Sequence, residues 1–506
     1  MPINNLSELT ADAINQFRKA AKAPMPMEKL DPLNKAITQS TGLVWYDLQS
    51  PAKQLFPVLT PIRNKIPRVA GNGGTATNWI SVTAINTANL RGFVPEGRRN
   101  GTVTLSAAPK SASYKTLGLE DAVSFEAELA AVNFEDIRAT TAQRLLWSTM
   151  IEEEIADVGA NNSLALTTCP TPSLTTAASG GSIAAGTYKV YCVALTMSGY
   201  LASSVSASGV PGLVTVTDPL GSTFTYGAGA SQVSAVATTA ALTGATNTIS
   251  AYVTVVNGAV AYAWYVDDGA SGAATLQSIT TVNSVKWTSL STAYQALSTT
   301  HSSDHSTNAY GYDGILTQAF TASSGAYIKA LDTGTPGTGT GLTSDSAGGI
   351  VEIDAMLASM WANYKLGPTV IYVNAQEAVN ISRKILASNG AQYRFVTDNP
   401  SSNQSNLTGG ARVMKYINKV GLTGRVEIPI EIHPYLPAGT LMAITETLPY
   451  PMPNVPNVWE KKLRRDYYQM EWPLRSRQYE SGVYFDGVLA GYFPPSVGII
   501  TNIANA

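Results

Sequence analysis

The residues able to do chemistry fall in a few short stretches. His301-Ser302-Ser303-Asp304-His305 sets a carboxylate between two imidazoles. Histidines four apart share a helix face and can hold a metal. No helical pattern surrounds this pair and no third ligand lies at a fitting spacing, so the stretch reads as a polar junction. His433 precedes Pro434 at the end of an expected strand and reads as a turn residue. Glu152-Glu153-Glu154 closes an expected helix. Acid–base catalysis would need one of these carboxyls desolvated in a pocket beside a partner. The sequence implies neither, so the run reads as a solvated or subunit-facing charge cluster. Cys169 and Cys192 are too far apart for a short metal knuckle. They could meet across strands, but a cytoplasmic setting would keep them reduced. Gly71-Asn72-Gly73-Gly74 resembles a phosphate loop only loosely and lacks the following lysine. There is no G-x-G-x-x-G unit, Walker sequence or G-x-S-x-G elbow. The reading is therefore of a protein that is not an enzyme, with no catalytic, cofactor-binding or metal-binding residue to assign and no cofactor.

Lys461, Lys462, Arg464, Arg465, Arg475 and Arg477 are interleaved with Tyr467, Tyr468 and Trp472, as on a nucleic-acid surface. Glu460, Asp466, Glu471 and Glu480 interrupt them. Ion pairing between subunits is the preferred reading, and weak proximity to DNA the second.

These groups sit in a chain of 506 residues with 33 Lys+Arg against 35 Asp+Glu, a formal charge of −2. Charged residues are 13% and hydrophobic residues 44%, which excludes a disordered polymer. Near-zero net charge argues against a protein whose task is gripping nucleic acid. Two cysteines cannot define a disulfide scaffold. No run approaches the length of a membrane span, and Met1 opens onto a polar stretch, which reads as neither membrane nor secretory.

Composition then changes sharply. Between 161 and 300 the charged residues are Lys189, Asp218, Asp267, Asp268 and Lys286 alone, amid Ala, Thr, Ser, Gly and Val. This predicts an inserted domain. Strands are expected at Thr187–Leu195, Leu213–Thr217, Ser250–Val256 and Ala261–Val266, with Asn257-Gly258 as a hairpin turn. Tyr188, Tyr191, Tyr252, Tyr262, Trp264 and Tyr265 supply bulk for a small sandwich.

Ahead of it, Phe134, Ile137, Leu145, Ile155 and Val158 mark one face of a helix over about 133–159, near 40 Å long, with Thr141 and Glu152 as polar members. Beyond it, Ile353, Leu357, Met360, Trp361 and Tyr364 share a face of a helix over 350–364. A strand at 368–373 follows, and Asn374 with Glu377 has the spacing of a capping box for a helix carrying Val379, Ile385 and Leu386 and stopping near Gly390. Further strands are expected at Arg425–Ile432, Thr440–Thr445 and Gly482–Leu489, and mobile surface loop at 331–349 and 391–410. Pro61–Ala70 is basic and punctuated by proline. Residues 86–120 read as an extended excursion, with strands at 102–105 and 113–119 around a turn at Pro109-Lys110. So thin an element needs something to lie on, and another subunit is the simplest candidate.

The order of these features resembles the major capsid proteins of tailed bacteriophages. The resemblance rests on Pro61-Ile62-Arg63-Asn64-Lys65-Ile66-Pro67-Arg68, Phe93-Val94-Pro95-Glu96-Gly97 and Asn133-Phe134-Glu135-Asp136 leading to Ala142-Gln143-Arg144-Leu145-Leu146. It continues in Tyr312-Asp313-Gly314-Ile315-Leu316, Ile371-Tyr372-Val373-Asn374 and Phe485-Asp486-Gly487-Val488-Leu489. It implies an α+β, HK97-like fold with an N-terminal arm at 1–85 and an extended loop at 86–120. A peripheral domain with a spine helix would hold 121–162, 309–349 and the returning 451–506, with an axial domain at 350–450. The insert, 163–308, is similar to the immunoglobulin-like sandwiches that some capsid proteins carry outside. The family further implies a shell of hexamers and pentamers enclosing double-stranded DNA, assembled in the host bacterial cytoplasm. Its partners would be other copies of the chain, portal and scaffolding proteins and a decoration protein, with weak contact to packaged DNA and none to membrane. Some relatives crosslink a lysine of the extended loop to a distant asparagine. Lys110 and Lys115 fall in that region, with no identifiable acceptor. The rival readings are a tail-tube or decoration protein, disfavoured by the long helix, and an extracellular glycan-binding protein, disfavoured by the absent export signal and carboxylate pocket.

Overall fold

A computed structural model describes residues 57–71, 73–86, 92–132, 135–267, 273–332, 336–387, 412–421, 426–449 and 455–505. Asn72, Phe134, Asp268, Gly390 and 391–410 lie outside them, as does most of the arm expected at 1–85. The chain divides into two units, 1–56 with 131–136, and 57–130 with 137–506. In the first, the described residues show Glu135 N–H donating to the Ala131 carbonyl at 3.1 Å.

The second unit opens with α1 (Pro61–Lys65) and β1 (Arg68–Ala70). Then come β2 (Ala76–Asn86), β3 (Thr104–Ser113), β4 (Lys115–Ser124), α2 (Phe125–Ala131) and α3 (Ile137–Gly159). The low-charge region holds β5 (Ser173–Ala177), β6 (Lys189–Leu195), α4 (Met197–Leu201), β7 (Leu213–Thr217), β8 (Thr223–Gly227) and β9 (Ala237–Thr238). It continues through β10 (Thr248–Tyr252), β11 (Ala261–Asp267), β12 (Thr275–Thr280) and β13 (Ser284–Trp287). After it lie α5 (Ile315–Phe320), β14 (Tyr327–Ala330), α6 (Val351–Tyr364), β15 (Val370–Val373) and α7 (Ala375–Leu386). The chain closes with β16 (Lys415–Ile417), β17 (Glu427–Ile432), β18 (Leu441–Ile444), β19 (Trp459–Glu471), β20 (Gln478–Gly491) and β21 (Val497–Thr501).

One sheet has the order β1-β19-β20-β4, with β1 parallel to β19 and the rest antiparallel. α3, about 35 Å long at the helical rise, packs on β4 and β20 of this sheet. α5 packs against α3 through Gly314, where a Cβ would lie 2.6 Å from the Ala156 carbonyl oxygen and 2.8 Å from the Gly159 nitrogen. Val158, Tyr312, Ile315, Leu463, Phe485 and Leu489 share the core beneath.

A second sheet has the order β14-β21-β18-β15-β17-β16. Its β15 is buried along its whole length, as an all-apolar run at the centre of a sheet requires. α6 buries Ile353, Met356, Leu357 and Met360, and its end turns at Lys365 with φ 57°. The Asn374 side chain accepts from Gln376 N–H at 3.0 Å, capping α7. The expected capping box does not close. Glu377 is buried instead, accepts from Gly439 N–H at 3.1 Å, and burial pushes its carboxyl up. Val379, expected inside, is 56% exposed, and α7 turns Ala378 and Ile381 inward.

Most of 331–349 is not the free surface loop expected. Leu331 and Leu342 are buried, Gly337 N–H donates to Ser284 Oγ at 2.7 Å, and Ala504 N–H donates to the Thr340 carbonyl at 2.9 Å. Packing with chain far away in sequence overrides the Gly/Thr/Ser composition.

The low-charge region leaves and rejoins this frame at one point. The Asn161 carboxamide donates to the Ser306 carbonyl at 2.9 Å, and Asn308 N–H donates to the Asn161 carbonyl at 2.7 Å. Between them, β13-β10-β5 and β12-β11-β6-β9 form two sheets. Their side chains enclose a core of Tyr188, Cys192, Ile249, Tyr262, Trp264 and Trp287, with the two indoles edge to face at 6.0 Å. Asn257-Gly258 does make a tight turn, with Ala259 N–H on the Val256 carbonyl at 3.1 Å and Gly258 at φ 88°. It carries the chain between the sheets, β10 to β11, rather than closing a hairpin. Cys169 and Cys192 are buried free thiols in this core.

Candidate functional site

Two features stand out: a buried charge cluster under α3 and a two-stranded ribbon standing off the sheet it starts from.

The inward positions of α3 are Thr141, Leu145, Thr149, Glu153, Glu154, Asp157 and Val158. Steps of about four residues keep them on one face, so α3 turns carboxylates inward and leaves Ile155 only half-buried. The solvated or subunit-facing reading of Glu152-Glu153-Glu154 is thus overturned for two of the three, since Glu153 and Glu154 are fully buried. Glu153 takes Arg63 Nε at 3.0 Å and Arg68 Nη1 at 2.8 Å, with Lys461 Nζ at 3.5 Å. The Tyr467 hydroxyl also donates to it.

Glu154 receives the first turn of α1, with Ile62 N–H at 3.0 Å and Arg63 N–H at 2.7 Å. Unpaired N–H groups at a helix start favour an anion, and here the anion comes from a helix far along the chain. His433 Nε2 lies 2.6 Å from the same carboxylate. His433 Nδ1 accepts from Tyr435 N–H at 3.3 Å, so Nε2 carries the hydrogen that Glu154 receives. His433 is therefore a buried tie from the second sheet to α3, not a turn residue alone.

Asp157 accepts from Tyr312 Oη at 2.7 Å and from Lys461 Nζ at 2.5 Å. Burial, with the Glu153 charge, pushes the Asp157 carboxyl up to about 6 against the pull of Lys461. Burial also acts to raise Glu153, but Lys461 and Arg68 outweigh it and hold that carboxyl below its usual range. Glu153 and Asp157 thus face Arg63, Arg68 and Lys461, and Glu154 faces two backbone N–H groups and His433, which is how charges remain tolerable away from water.

The cationic run of β19 is engaged within its own chain. Lys461 is in register beside Arg68 and buried with Asp157. Lys462 pairs with Glu460 at 2.8 Å, Arg464 with Asp486 at 3.0 Å and Arg477 with Glu126 at 2.7 Å. The Arg465 guanidinium lies 4.1 Å over the Tyr468 ring. Within one chain, the long antiparallel strands β19 and β20 bring Lys462 and Arg464 beside opposite charges, and α2 supplies the acid for Arg477.

The ribbon is β2 against β3, paired from Ala76 opposite Ser113 to Asn86 opposite Thr104, with a register shift between Val82 and Ala84. This corrects the expected turn at Pro109-Lys110. Pro109 lies inside β3 opposite Ile80, and residues 115–124 join β20 in their own subunit's sheet. Near its base the Trp79 ring meets Tyr492 edge to face at 5.6 Å. Farther out, Ile80 is 73%, Leu105 63% and Phe93 99% exposed. The sequence marked this excursion by its failure to bury anything, but placed its strands wrongly. Lys115, one of the lysines weighed for crosslinking, donates to the Ala309 carbonyl at 2.6 Å.

The remaining sequence candidates are structural. His301 is buried against Tyr265, their rings 6.2 Å apart, and Asp304 accepts from Thr167 N–H at 2.8 Å and Ser306 N–H at 2.9 Å. Among the described residues no three His, Cys, Asp or Glu side chains gather to hold a metal, and no helix is long and apolar enough to cross a membrane. Gly71 packs against Tyr114, where a Cβ would lie 2.1 Å from the hydroxyl oxygen.

No protein-family model and no curated protein matches the sequence. Among solved structures, the chain is similar to phage capsid proteins over nearly its whole length. It is similar to the capsid of the native GTA particle at 10% identity and TM-score 0.41, covering 93% of this chain and 100% of that one. The cyanophage A-1(L) capsid gives 11% identity and TM-score 0.41, covering 92% and 99%. The capsid of Myoviridae phage XM1 gives 10% identity and TM-score 0.38, covering 95% and 100%.

Proposed function

We propose that this chain is a structural major capsid protein, assembling into hexamers and pentamers of an icosahedral shell around phage double-stranded DNA. The observation that carries the reading is the β2–β3 ribbon. It exposes Ile80 and Leu105, with Val103 and Phe93 exposed in the segment joining its strands, and among the described residues no third strand pairs with it. A two-stranded ribbon is marginal alone, and exposed apolar side chains in a row mark an interaction surface. Laid on a second copy, the ribbon adds area toward the roughly 1,200–2,000 Å² of a stable interface, and closed symmetry repeats that contact around the shell.

The buried cluster supplies the stiff base, because it ties α1, β1, α3, β19 and the His433 loop into one piece. Gly97, at φ 74°, together with Gly92 and Gly101, lets the far end re-aim between lattice positions. The insert, read as an immunoglobulin-like sandwich, would be displayed outside. Pairing of the β19 cations within the chain suits enclosure of DNA that must slide, since each phosphate contact adds affinity. Portal, scaffolding and decoration proteins would complete the particle, a virion capsid built in the host cytoplasm.

Sedimentation velocity and electron microscopy of the purified full chain test this reading. Closed shells or capsomers are expected. Open tubes would favour a tail-tube protein, and monomers at every concentration would end the reading.

A further inference from the structure

An asparagine followed by glycine is the pair at which a chain most readily attacks itself, because glycine has no Cβ to keep its nitrogen away from the asparagine carboxamide. The sequence holds this pair at Asn72, Asn100, Asn257 and Asn389. Asn72 and Asn389 lie outside the described residues, and the fold gives the other two opposite surroundings. Asn100-Gly101 lies in 92–103, a segment with no helix or strand, and both residues are exposed. The Gly101 N–H donates to Asn100 Oδ1 at 2.8 Å, so the side chain folds forward over its own next peptide. Reacting atoms close from separations of roughly 3–3.5 Å, and the carbon to be attacked, Cγ, is one bond from that oxygen. Exposed loop backbone makes the remaining rotation at little cost.

At Asn257-Gly258 the same two residue types are pinned. The Asn257 carboxamide donates to the Phe320 carbonyl at 2.9 Å. Gly258 is buried at φ 88°, and a Cβ there would lie 2.6 Å from the Leu164 side chain. Ala259 N–H closes the turn on the Val256 carbonyl at 3.1 Å. Ring closure at this pair requires the turn to open first, so its rate is cut to the fraction of time the turn spends open.

We propose that Asn100 is a self-modification site, at which the chain converts its own asparagine to aspartate and isoaspartate through a succinimide, while the fold protects Asn257. Hydroxide takes the Gly101 amide proton, and the nitrogen forms a bond to Asn100 Cγ. The Cγ–Nδ2 bond then breaks, and Nδ2 leaves as ammonia with a proton taken from water. Water next adds to one of the two ring carbonyls. Opening at Cγ gives aspartate, and opening at the backbone carbonyl gives isoaspartate, whose main chain runs through Cβ and Cγ. The sum consumes one water and releases one ammonia, with no oxidant or cofactor. The new carboxylate offsets the excess of Arg98 and Arg99 over Glu96, so the charge at the far end of the ribbon falls as the chain ages. This chemistry holds whether or not the chain builds a shell.

The test keeps the full chain at mildly alkaline pH in heavy-oxygen water, digests it at acid pH and follows both asparagines by mass spectrometry. Asn100 should take up one heavy oxygen at least about tenfold faster than Asn257. An isoaspartyl methyltransferase should label the peptide that holds position 100. The rate should rise with pH, since the deprotonated nitrogen is the attacking atom. Gly101→Ala, a change on an exposed loop, should slow uptake at Asn100 by about tenfold, because its Cβ obstructs the approach. In urea, where the turn no longer holds Asn257, the two rates should converge. Equal rates in the folded chain, or an Asn100 that stays intact while Asn257 converts in urea, would overturn the proposal and leave the shell reading untouched.

Discussion

At the scale of residues, the cluster under α3 is where single atoms matter most. Glu153 is fully buried and faces Arg63, Arg68 and Lys461. Glu153→Ala strands those cations, and breaking a buried pair from one side costs about 3–5 kcal/mol. Urea unfolding of the variant should show a loss of that size. The pH dependence has two opposed parts. Glu153, held low, contributes stability at neutral pH that is lost as the pH falls through its depressed value. Asp157 is raised to about 6 in the fold, against about 3.9 in an unfolded chain. Between those values the native state holds the extra proton, so ionisation as pH rises through that window costs stability. Asp157→Asn should remove that cost, and its stability should climb more steeply than the wild type's from pH 4 to 6. A parallel pair of curves would contradict the assignment. None of this was legible in Glu152-Glu153-Glu154, because the partners lie about 90 residues before it and about 280–310 residues after it. A run of carboxylates with no local counter-ion looks solvated in one dimension.

At the scale of elements, strands and helices with apolar faces were the most legible. Ile353, Leu357 and Met360 announced α6, and three of the four strands expected in the low-charge region match β6, β7 and β11, whereas the one expected at Ser250–Val256 lies at Thr248–Tyr252. α3 was found by length, but its buried face carries Thr and Glu where aliphatic residues were expected. The ribbon was misregistered because Pro109 reads as a turn, whereas the edge of a two-stranded ribbon tolerates proline. Helix packing gives the prediction at this scale. A Cβ on Gly314 would press on the backbone of α3 at Ala156 and Gly159. Gly314→Ala should cost about 1–3 kcal/mol, the range for overpacking, read as a lowered urea midpoint. An unchanged midpoint would mean that α5 and α3 separate freely.

At the scale of the molecule, folding and assembly are separable. Ile80→Asp with Leu105→Asp changes exposed side chains on the ribbon. Surface changes of this kind stay within about 0.5 kcal/mol, so unfolding should barely move while sedimentation shifts from assemblies to single chains. The reverse result, a destabilised fold that still assembles, would place the ribbon inside its own subunit. In the low-charge region two sheets enclose a core of their own, while Asn283 and Ser284 also hold Asn502, Asp332 and Gly337 of the frame.

The central claim is that the β2–β3 ribbon lies on a neighbouring copy, and a particle reconstruction that traces it tests this most directly. Density for residues 76–113 should run across an adjacent subunit, with Ile80, Leu105 and Phe93 covered there. A ribbon folded back on its own chain, or left bare to solvent in every lattice position, would contradict it.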